Sequence, residues 1–270
     1  MSCPYAEVIG DPIGHSKSPI IHRFWLEALA IEAEYRRFHV KPDELASYFQ
    51  DRRADPDWRG CNITIPHKTA ALVHVEDRGA VRESIGAINL VLREQDGTLI
   101  GTNTDVGGFF APLADHDLDG AHVALIGAGG GARAILFALK RAGVAHVTML
   151  NRNPLKAAAL LSRFGIHGDA LGLEGPLPPA DLLVNASPLG MTGQPSLDVD
   201  LAELPDHAVI YDIVYAPLET PLLKAARARG LETVDGLEML IGQAALAFAL
   251  LFGAEPPRER DEELRALLTA

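Results

Sequence analysis

A glycine-rich turn near the middle of the chain constrains the fold more than any other feature of this sequence. The apolar run Val123-Ala124-Leu125-Ile126 comes directly before it, and a helical pattern over residues 132–142 follows. An uninterrupted apolar strand is typical of a parallel sheet with helices on both faces. In such a turn, glycine lets the backbone approach a pyrophosphate, which the N–H groups of the next helix then bind. We therefore predict that the turn binds the phosphates of a dinucleotide, with an unliganded flexible turn as the alternative; its residues are Gly127, Gly129, Gly130, Gly131 and Ala132.

The next predicted strand ends in residues suited to a phosphorylated ribose. It reads Met149-Leu150-Asn151-Arg152, and Lys156 lies four residues further on. A site for NAD usually has an acidic residue here that accepts from the ribose hydroxyls, whereas an arginine accommodates a 2′-phosphate. No acidic residue stands at this place in the sequence. The pattern favours NADP (NADPH) over NAD, and the alternative is that Arg152 is a solvated surface residue.

Strand and helix patterns alternate along most of the chain, which predicts an α/β protein. We place a boundary near residue 106, which gives two domains: an N-terminal, mainly parallel α/β domain (residues 1–106) and a Rossmann-type, doubly wound NADP-binding domain (residues 107–236). The periodicity of the last helices, residues 237–270, does not decide which domain they join. The predicted strands are residues 6–10, 35–40, 61–65, 88–93, 98–101, 123–126, 146–150, 182–185 and 209–213. Residues 165–179 are rich in glycine and proline and are predicted to form a loop.

Composition excludes several classes of partner. The net charge of −12 over 270 residues disfavours nucleic acid and anionic membranes as partners, since both bind basic patches. Two distant cysteines, Cys3 and Cys61, do not form a disulfide scaffold, and the first residues lack the pattern of a signal peptide. The ten histidines have no paired-ligand spacing, so no metal site is predicted. We expect a cytoplasmic protein whose partner is a small molecule.

Several polar residues of the first hundred lie where the fold alone does not require them. Ser16 and Ser18 flank a helix start, where they could cap backbone N–H groups or donate to a bound carboxylate. Asn62 and Thr64 alternate with apolar residues and should share one face of a strand. Lys68 follows Pro66 and would ordinarily be a solvated lysine, and Asp105 would ordinarily cap the helix that follows it.

Nine short segments, in order along the chain, resemble the shikimate/quinate dehydrogenase family. Besides the glycine-rich turn and Asn151-Arg152, they are Ile9-Gly10-Asp11-Pro12-Ile13-Gly14-His15-Ser16-Lys17-Ser18-Pro19, Asn62-Ile63-Thr64-Ile65-Pro66-His67-Lys68, Gly86-Ala87-Ile88-Asn89, Gly101-Thr102-Asn103-Thr104-Asp105, Asn185-Ala186-Ser187-Pro188-Leu189-Gly190-Met191 with Asp212-Ile213-Val214-Tyr215, and Gly236-Leu237-Glu238-Met239-Leu240-Ile241-Gly242-Gln243-Ala244.

The resemblance implies a role for each matching residue. Lys68 and Asp105 would form the catalytic pair, and Ser16 and Ser18 would hold the substrate carboxylate. Ring oxygens would be bound by Asn62, Thr64, Asn89, Asp105 and Gln243, and Tyr215 would help to close the substrate site. Ser187 and Met191 would join the cofactor-binding residues. The first domain would then bind substrate, residues 237–270 would pack back on it, and the active site would lie in the cleft between the domains.

The implied reaction is the reversible, NADP-dependent reduction of 3-dehydroshikimate to shikimate in aromatic amino-acid biosynthesis, by a monomer or homodimer. Four positions depart from the family's usual pattern: Leu90, Asn153, His67 and Glu238. They leave open a quinate/shikimate dehydrogenase of broader substrate range or NAD use. A rival of another class is a non-catalytic module that senses a metabolite or cofactor; the presence of both Lys68 and Asp105 disfavours it.

Overall fold

The computed structural model describes residues 3–270, which form two compact units. The first unit contains the chain up to Asp105 together with Ile241–Ala270, and the second contains Val106–Leu240. The strands are β1 Tyr5–Gly10, β2 Glu34–His39, β3 Trp58–Ile63, β4 Leu90–Arg93, β5 Leu99–Thr102, β6 His122–Ile126, β7 His146–Leu150, β8 Gly168–Leu171, β9 Leu182–Asn185, β10 Val209–Asp212 and β11 Glu232–Val234. The α-helices are α1 Ser18–Ala28, α2 Leu45–Ala54, α3 Val81–Ser84, α4 Asp105–Phe110, α5 Gly130–Arg141, α6 Pro154–Phe164, α7 Pro221–Ala228, α8 Gly236–Phe252 and α9 Asp261–Thr269.

The first unit is built on a five-stranded sheet in the order β2-β1-β3-β4-β5. β1 runs parallel to both β2 and β3, while β4 and β5 form an antiparallel hairpin that extends the sheet from β3. Neighbouring residues of a strand face opposite sides of a sheet. In the register of β1 with β3, Glu7 lies beside Cys61 and Val8 lies beside Asn62. Cys61 and Asn62 therefore face opposite sides of this sheet.

A buried carboxylate holds one side of this sheet to helix α2. Glu7 is fully buried and accepts hydrogen bonds from the Tyr48 hydroxyl at 2.8 Å and from Arg52 Nε and Nη2 at 2.8 and 3.1 Å. Arg36 Nε donates to the same carboxylate at 3.1 Å. A buried charge is tolerated when it is paired and hydrogen-bonded in this way. Cys61 lies on the same side and is fully buried, and burial raises the pKa of its thiol well above the usual range.

An aromatic cluster around His22 fills the other side. The His22 ring stacks on Tyr35 with parallel planes and centroids 3.8 Å apart, and Trp25 and Phe248 lie 5.9 and 5.8 Å away. His22 is fully buried, and neither of its ring nitrogens has a hydrogen-bond partner among residues 3–270. Burial lowers the pKa of His22 from 6.5 to about 3, because the charged imidazolium would be desolvated there. The neutral ring therefore packs as an aromatic group.

The second unit is a doubly wound Rossmann-type sheet. Its six strands are parallel and lie in the order β11-β10-β9-β6-β7-β8. Renumbered within the unit, this is the order 3-2-1-4-5-6 of dinucleotide-binding sheets. Val123 and Leu125 of β6 join the core on one face, and Ala124 and Ile126 join the core on the other. The continuous apolar run of β6 is thus buried on both faces, as the sequence predicted.

Several predicted elements differ from the observed ones by a residue or two, the short strand β11 was not predicted, and two further predictions were wrong for a clear physical reason. A strand, β8, lies within residues 165–179, which were predicted to form a loop. β8 is an edge strand, and a Cβ at Gly168 would come within 1.9 Å of the Val147 carbonyl oxygen, so glycine there serves close strand approach. The strand predicted at residues 61–65 ends at Ile63, before Pro66, and the side chain of Ile65 is 64% exposed. Proline lacks the N–H group that would extend the ladder.

Candidate active site

An ion pair joins the two residues that the sequence proposed as catalytic. Lys68 Nζ lies 2.5 Å from Asp105 Oδ2, and the side chains are 17% and 5% exposed. Lys68 follows the end of β3, and its carbonyl oxygen accepts from the N–H of Ile88 at 2.8 Å. Asp105 is the first residue of α4. A short bond between an ammonium and a carboxylate that are both little exposed fixes the position of the ammonium group.

The carboxamide of Asn89 links Asp105 to the rest of this polar cluster. Its Nδ2 donates to Asp105 Oδ1 at 2.8 Å and to Thr104 Oγ1 at 2.9 Å, and its Oδ1 accepts from the backbone N–H of Thr104 at 2.7 Å. Gln243 Oε1, on helix α8, lies 3.4 Å from the same nitrogen. Asn89 and its three partners, Asp105, Thr104 and Gln243, are each at most 8% exposed. The structure therefore brings together Lys68, Asp105, Asn89 and Gln243 as the sequence-derived hypothesis requires.

Asp105 is the first residue of α4, and its own backbone N–H is bonded by the side chain of Asn103. Asn103 Oδ1 accepts from the backbone N–H of Asp105 at 2.9 Å, and its Nδ2 donates to the Ala87 carbonyl at 2.9 Å. The Asp105 carboxylate accepts from Lys68 and Asn89. Both carboxylate oxygens of Asp105 are thus bonded to side chains of the polar cluster, and neither caps the helix.

Asn62 lies at the end of β3 and belongs to the same buried network. Its Oδ1 accepts from the Tyr35 hydroxyl at 2.7 Å, and its Nδ2 lies 3.4 Å from the Asn89 carbonyl oxygen. Thr64, two residues later, is half-buried, and a Cβ built at Gly10 would come within 2.6 Å of its methyl group. Gly10 therefore allows Thr64 to lie against the end of β1.

Ser16 and Ser18 form a turn at the start of α1, and neither is its N-cap. The cap position is Lys17, and Ser16 Oγ accepts the backbone N–H of Ser18 at 3.4 Å. Arg37 holds the turn, because its Nε and Nη2 donate to the Ser16 carbonyl at 2.9 and 2.5 Å. Lys17 donates to the carbonyl oxygen of Leu268. Both serine side chains are almost buried, at 5% and 6% exposure.

The glycine-rich turn of the second unit has the geometry that a pyrophosphate requires. Gly127 has φ +107°, and a Cβ there would meet the Ala186 backbone at 2.9 Å, so the fold itself needs this glycine. Gly129 is the N-cap of α5 and has negative φ, and a Cβ there would have no heavy atom of the described residues within 4 Å beyond its chain neighbours. Gly130 and Gly131 are half-exposed in the first turn of α5, and Ala132 is buried. Since packing does not demand glycine at 129, close approach by a ligand explains it, and a dinucleotide phosphate fits this cradle.

The residues proposed for the ribose phosphate lie between β7 and α6. Arg152 and Lys156 are exposed, and Asn151 is half-buried with its Nδ2 donating to the Asn153 carbonyl at 2.9 Å. Asn153 caps α6, because its Oδ1 accepts the backbone N–H of Lys156 at 3.4 Å. Two cations beside a helix N-terminus favour an anionic ligand.

The sequence analysis assigned no role to Asn185 or Asp212, although Asn185 holds Ser187 in place and Asp212 holds Asn185. Asn185 Oδ1 accepts from the Ser187 hydroxyl at 2.7 Å, and Asn185 Nδ2 donates to Asp212 Oδ1 at 2.9 Å. Asp212 is fully buried and also accepts from the Thr220 hydroxyl at 2.7 Å. Burial raises the pKa of Asp212 above its ordinary value, although these two hydrogen bonds and a third, from the backbone N–H of Val214 at 3.0 Å, act in the opposite direction. Asn185 and Asp212 end neighbouring parallel strands, and that placement was the available signal.

Two further predicted residues of the second unit, Met191 and Tyr215, are half-buried in loops after β9 and β10. The backbone N–H of Met191 donates to the Pro188 carbonyl at 3.1 Å. Their roles remain predictions.

Two departures from the family pattern are packing residues in the first unit. His67 is buried, and its Nε2 lies 2.7 Å from the Val40 carbonyl oxygen. Leu90 is fully buried in β4, where it pairs with Asn62 and Thr102.

Within residues 3–270, no helix is long and apolar enough to cross a membrane. The same residues contain no group of three or more His, Cys, Asp or Glu arranged to hold a metal ion.

Three family models match successive parts of the chain. The shikimate dehydrogenase substrate binding domain matches residues 8–91. The shikimate / quinate 5-dehydrogenase model matches residues 111–185, and the shikimate 5′-dehydrogenase C-terminal domain matches residues 236–264. The Lys68 motif lies in the first match, the glycine-rich turn in the second and Gln243 in the third.

Relatives with curated names and solved structures agree with these matches. The shikimate dehydrogenase (NADP(+)) of Sphingopyxis alaskensis is 64% identical over 99% of this chain and 97% of its own. The structure of Thermus thermophilus shikimate 5-dehydrogenase with NADP(H) and shikimate is 36% identical, with a TM-score of 0.87 over 98% of this chain and 99% of that one. Quinate dehydrogenase from Corynebacterium glutamicum in complex with NAD is 32% identical, with a TM-score of 0.86 over 98% and 99% of the two chains. By its family models and its full-length relatives, the chain belongs to the shikimate dehydrogenase family.

Proposed function

We propose that this protein is an NADP-dependent shikimate dehydrogenase, which reversibly reduces 3-dehydroshikimate to shikimate. The observation that carries the proposal is the Lys68–Asp105 ion pair, 2.5 Å long and nearly buried among amides that can bind hydroxyl groups. The 64% identity to a relative named for this activity supports both the reaction and the cofactor. A metabolite sensor would have no need of a buried ammonium–carboxylate pair.

The substrate-side roles follow from the chemistry of the residues that the first unit gathers. Ser16 and Ser18 offer hydroxyls at the N-terminus of α1, where the helix dipole favours the substrate carboxylate. The amides of Asn62, Asn89 and Gln243, with Thr64 and Asp105, bind the ring oxygens. Tyr215, from the second unit, completes the set as a proposal from the family resemblance.

The Lys68–Asp105 pair manages the charge and the proton at the substrate's C3 oxygen. When bound, NADPH supplies the hydride that reduces the ketone. The Lys68 ammonium stabilises the negative charge that develops on this oxygen, because it is already oriented and little exposed to water. Asp105 orients that ammonium and accepts a hydrogen bond from a substrate hydroxyl. The oxygen takes the proton that completes the alcohol from this pair, and the pair regains a proton from solvent, to which Lys68 is 17% exposed.

The cofactor roles rest on the second unit. Gly127, Gly129, Gly130, Gly131 and Ala132 would hold the pyrophosphate at the start of α5. Arg152 and Lys156, with Asn151, would bind the 2′-phosphate of the adenosine ribose. Ser187 and Met191 would contact the remaining part of the cofactor, with Ser187 held by Asn185.

Initial rates with each pairing of shikimate or quinate with NADP or NAD test the proposal. We expect by far the greatest kcat/KM for shikimate with NADP. Turnover mainly of quinate, or mainly with NAD, would contradict it in favour of the broader quinate/shikimate branch of the family. Ligand binding without turnover of any pair would favour the sensor.

The Lys68 ammonium is tested by Lys68→Met, which keeps most of the unbranched side chain and removes the charged group. We expect kcat to fall by roughly 10²- to 10⁴-fold with a smaller change in KM, because the ammonium acts mainly on charge formed in the transition state. Lys224→Met is the control, since Lys224 is an exposed lysine of α7. Near wild-type turnover by Lys68→Met would refute the assignment.

A further inference from the structure

The Tyr35 hydroxyl is buried against an amide that the proposed function assigns to substrate binding. Tyr35 lies on β2 and is 4% exposed, and its hydroxyl lies 2.7 Å from Asn62 Oδ1. Burial raises the pKa of Tyr35 well above 10, so the hydroxyl keeps its proton at any working pH. It is therefore a permanent hydrogen-bond donor to Asn62.

The surroundings of Asn62 permit one orientation of its carboxamide. Its Nδ2 lies 3.4 Å from the Asn89 carbonyl oxygen, which also accepts the backbone N–H of Ile63 at 2.7 Å. If the amide flipped, its oxygen would face that carbonyl oxygen, and its nitrogen would face the Tyr35 hydroxyl. The flipped amide would place two acceptors against each other in a buried site, which is unfavourable.

The Tyr35 ring is itself held in place, so its hydroxyl cannot follow a moving amide. The buried ring of His22 lies parallel to it at a centroid distance of 3.8 Å. His22 is neutral, and Trp25 and Phe248 pack around it. In a close-packed interior, the Tyr35 ring cannot shift without displacing this buried neighbour.

We propose that Tyr35 is a positioning residue for substrate recognition: its hydroxyl holds Asn62 Oδ1, so that Asn62 presents Nδ2 as a donor to a ring hydroxyl of the substrate. The inference rests on the proposed function, because it requires that Asn62 bind substrate. Tyr35 itself acts through Asn62 and need not touch the substrate. The amide is thus oriented before the substrate arrives, and no binding energy is lost in ordering it.

Tyr35→Phe tests the proposal, because it removes only the hydroxyl and keeps the ring that stacks on His22. We expect KM for shikimate to rise about three- to tenfold with kcat nearly unchanged, the size of one buried hydrogen bond. KM for NADP should remain as in the wild type. A purely structural defect would instead reduce the active fraction and lower the apparent kcat.

Tyr48→Phe is the matched control. Tyr48 is 5% exposed, and its hydroxyl also makes a buried bond, at 2.8 Å to Glu7 on the opposite side of the same sheet. It should lose comparable thermal stability and leave KM for shikimate unchanged. Equal KM effects in the two variants would overturn the proposal, because a general loosening of the sheet would then explain both.

A double-mutant cycle with Asn62→Ala shows whether Tyr35 acts through Asn62. Once the amide is gone, Tyr35→Phe should raise KM no further, so the double variant should match Asn62→Ala alone. Multiplied effects would overturn the proposal. An unchanged KM in Tyr35→Phe, with an active wild type, would overturn this inference and leave the proposed function standing. Absence of shikimate turnover by the wild type would overturn both.

Discussion

The buried imidazole of His22 should make the stability of the first unit depend on pH. In the folded chain the pKa of His22 is about 3, against 6.5 for an exposed histidine. Between about pH 6.5 and pH 3, His22 is therefore protonated in the unfolded chain and neutral in the folded chain. Since stability rises with pH wherever the unfolded state binds more protons, this contribution is complete above pH 6.5 and is lost progressively as the pH falls towards 3.

The size of the effect follows from the two pKa values. Between about pH 7.5 and about pH 5, the linkage relation gives a loss of about 2 kcal/mol in the free energy of unfolding from this one group. For a unit of this size, that corresponds to roughly 5–10 °C in Tm. Other groups also titrate in this interval, so the contribution of His22 is the difference between the wild type and His22→Phe.

Urea unfolding at the two pH values, followed by tryptophan fluorescence, measures this difference. The chain's two tryptophans, Trp25 and Trp58, are both buried in the first unit, so their emission reports the unit that contains His22. His22→Phe keeps an aromatic ring against Tyr35 and removes the titrating group. Its stability should fall by about 2 kcal/mol less than that of the wild type over this interval.

Phe248→Leu controls for damage to the aromatic cluster, since it changes packing and removes no titratable group. Its stability should be lower by about 1 kcal/mol at both pH values, parallel to the wild type. The reasoning fails if His22→Phe and the wild type lose the same stability on acidification. That result would mean that the His22 ring is protonated in the folded protein.

Two predictions concern the cofactor. Gly129→Ala should fold with wild-type stability, because the added methyl meets no packed atom of the described residues. It should raise KM for NADP at least tenfold, because the methyl projects where the pyrophosphate would approach. Gly127→Ala should instead lower the free energy of unfolding by about 2–4 kcal/mol, because alanine is strained at this positive φ and its methyl would contact the Ala186 backbone. Equal stability of these two variants would refute the distinction. Arg152→Ala should raise KM for NADP roughly ten- to a hundredfold, the loss of one or two charge-assisted bonds, with NAD as the internal control; a parallel rise for NAD would exclude a contact with the 2′-phosphate.

The sequence predicted best those features in which local structure alone determines the residue type. The run Val123–Ile126 needs burial on both faces, and Gly127 needs a positive φ, so both could be recognised without any partner in view. Lys68 and Asp105, by contrast, are 37 residues apart, and on local grounds each had an ordinary interpretation. Only the family resemblance paired them, and the pairing distance came from the structure.

The features that sequence missed depend on neighbours distant along the chain. Tyr35 was only the first residue of a predicted strand, and its bond to Asn62 arises because β2 and β3 both flank β1. β8 has four residues, half of them exposed, so its pattern carried too little hydrophobic signal to distinguish it from a loop. Asp212 could be placed at a strand end, but its enclosure by Asn185 and Thr220 could not be inferred from spacing.

The burial of Cys61 makes the reactivity of its thiol a measure of how often the first sheet opens. Cys3 is exposed and Cys61 is fully enclosed beside the Glu7 carboxylate, with its thiol held protonated by burial. In a Cys3→Ser variant, a thiol-specific dye could react only when β3 and its neighbours separate. The labelling rate would then report how often these strands separate in the native protein. A slower rate with shikimate bound would measure how much substrate binding stabilises the sheet against this opening.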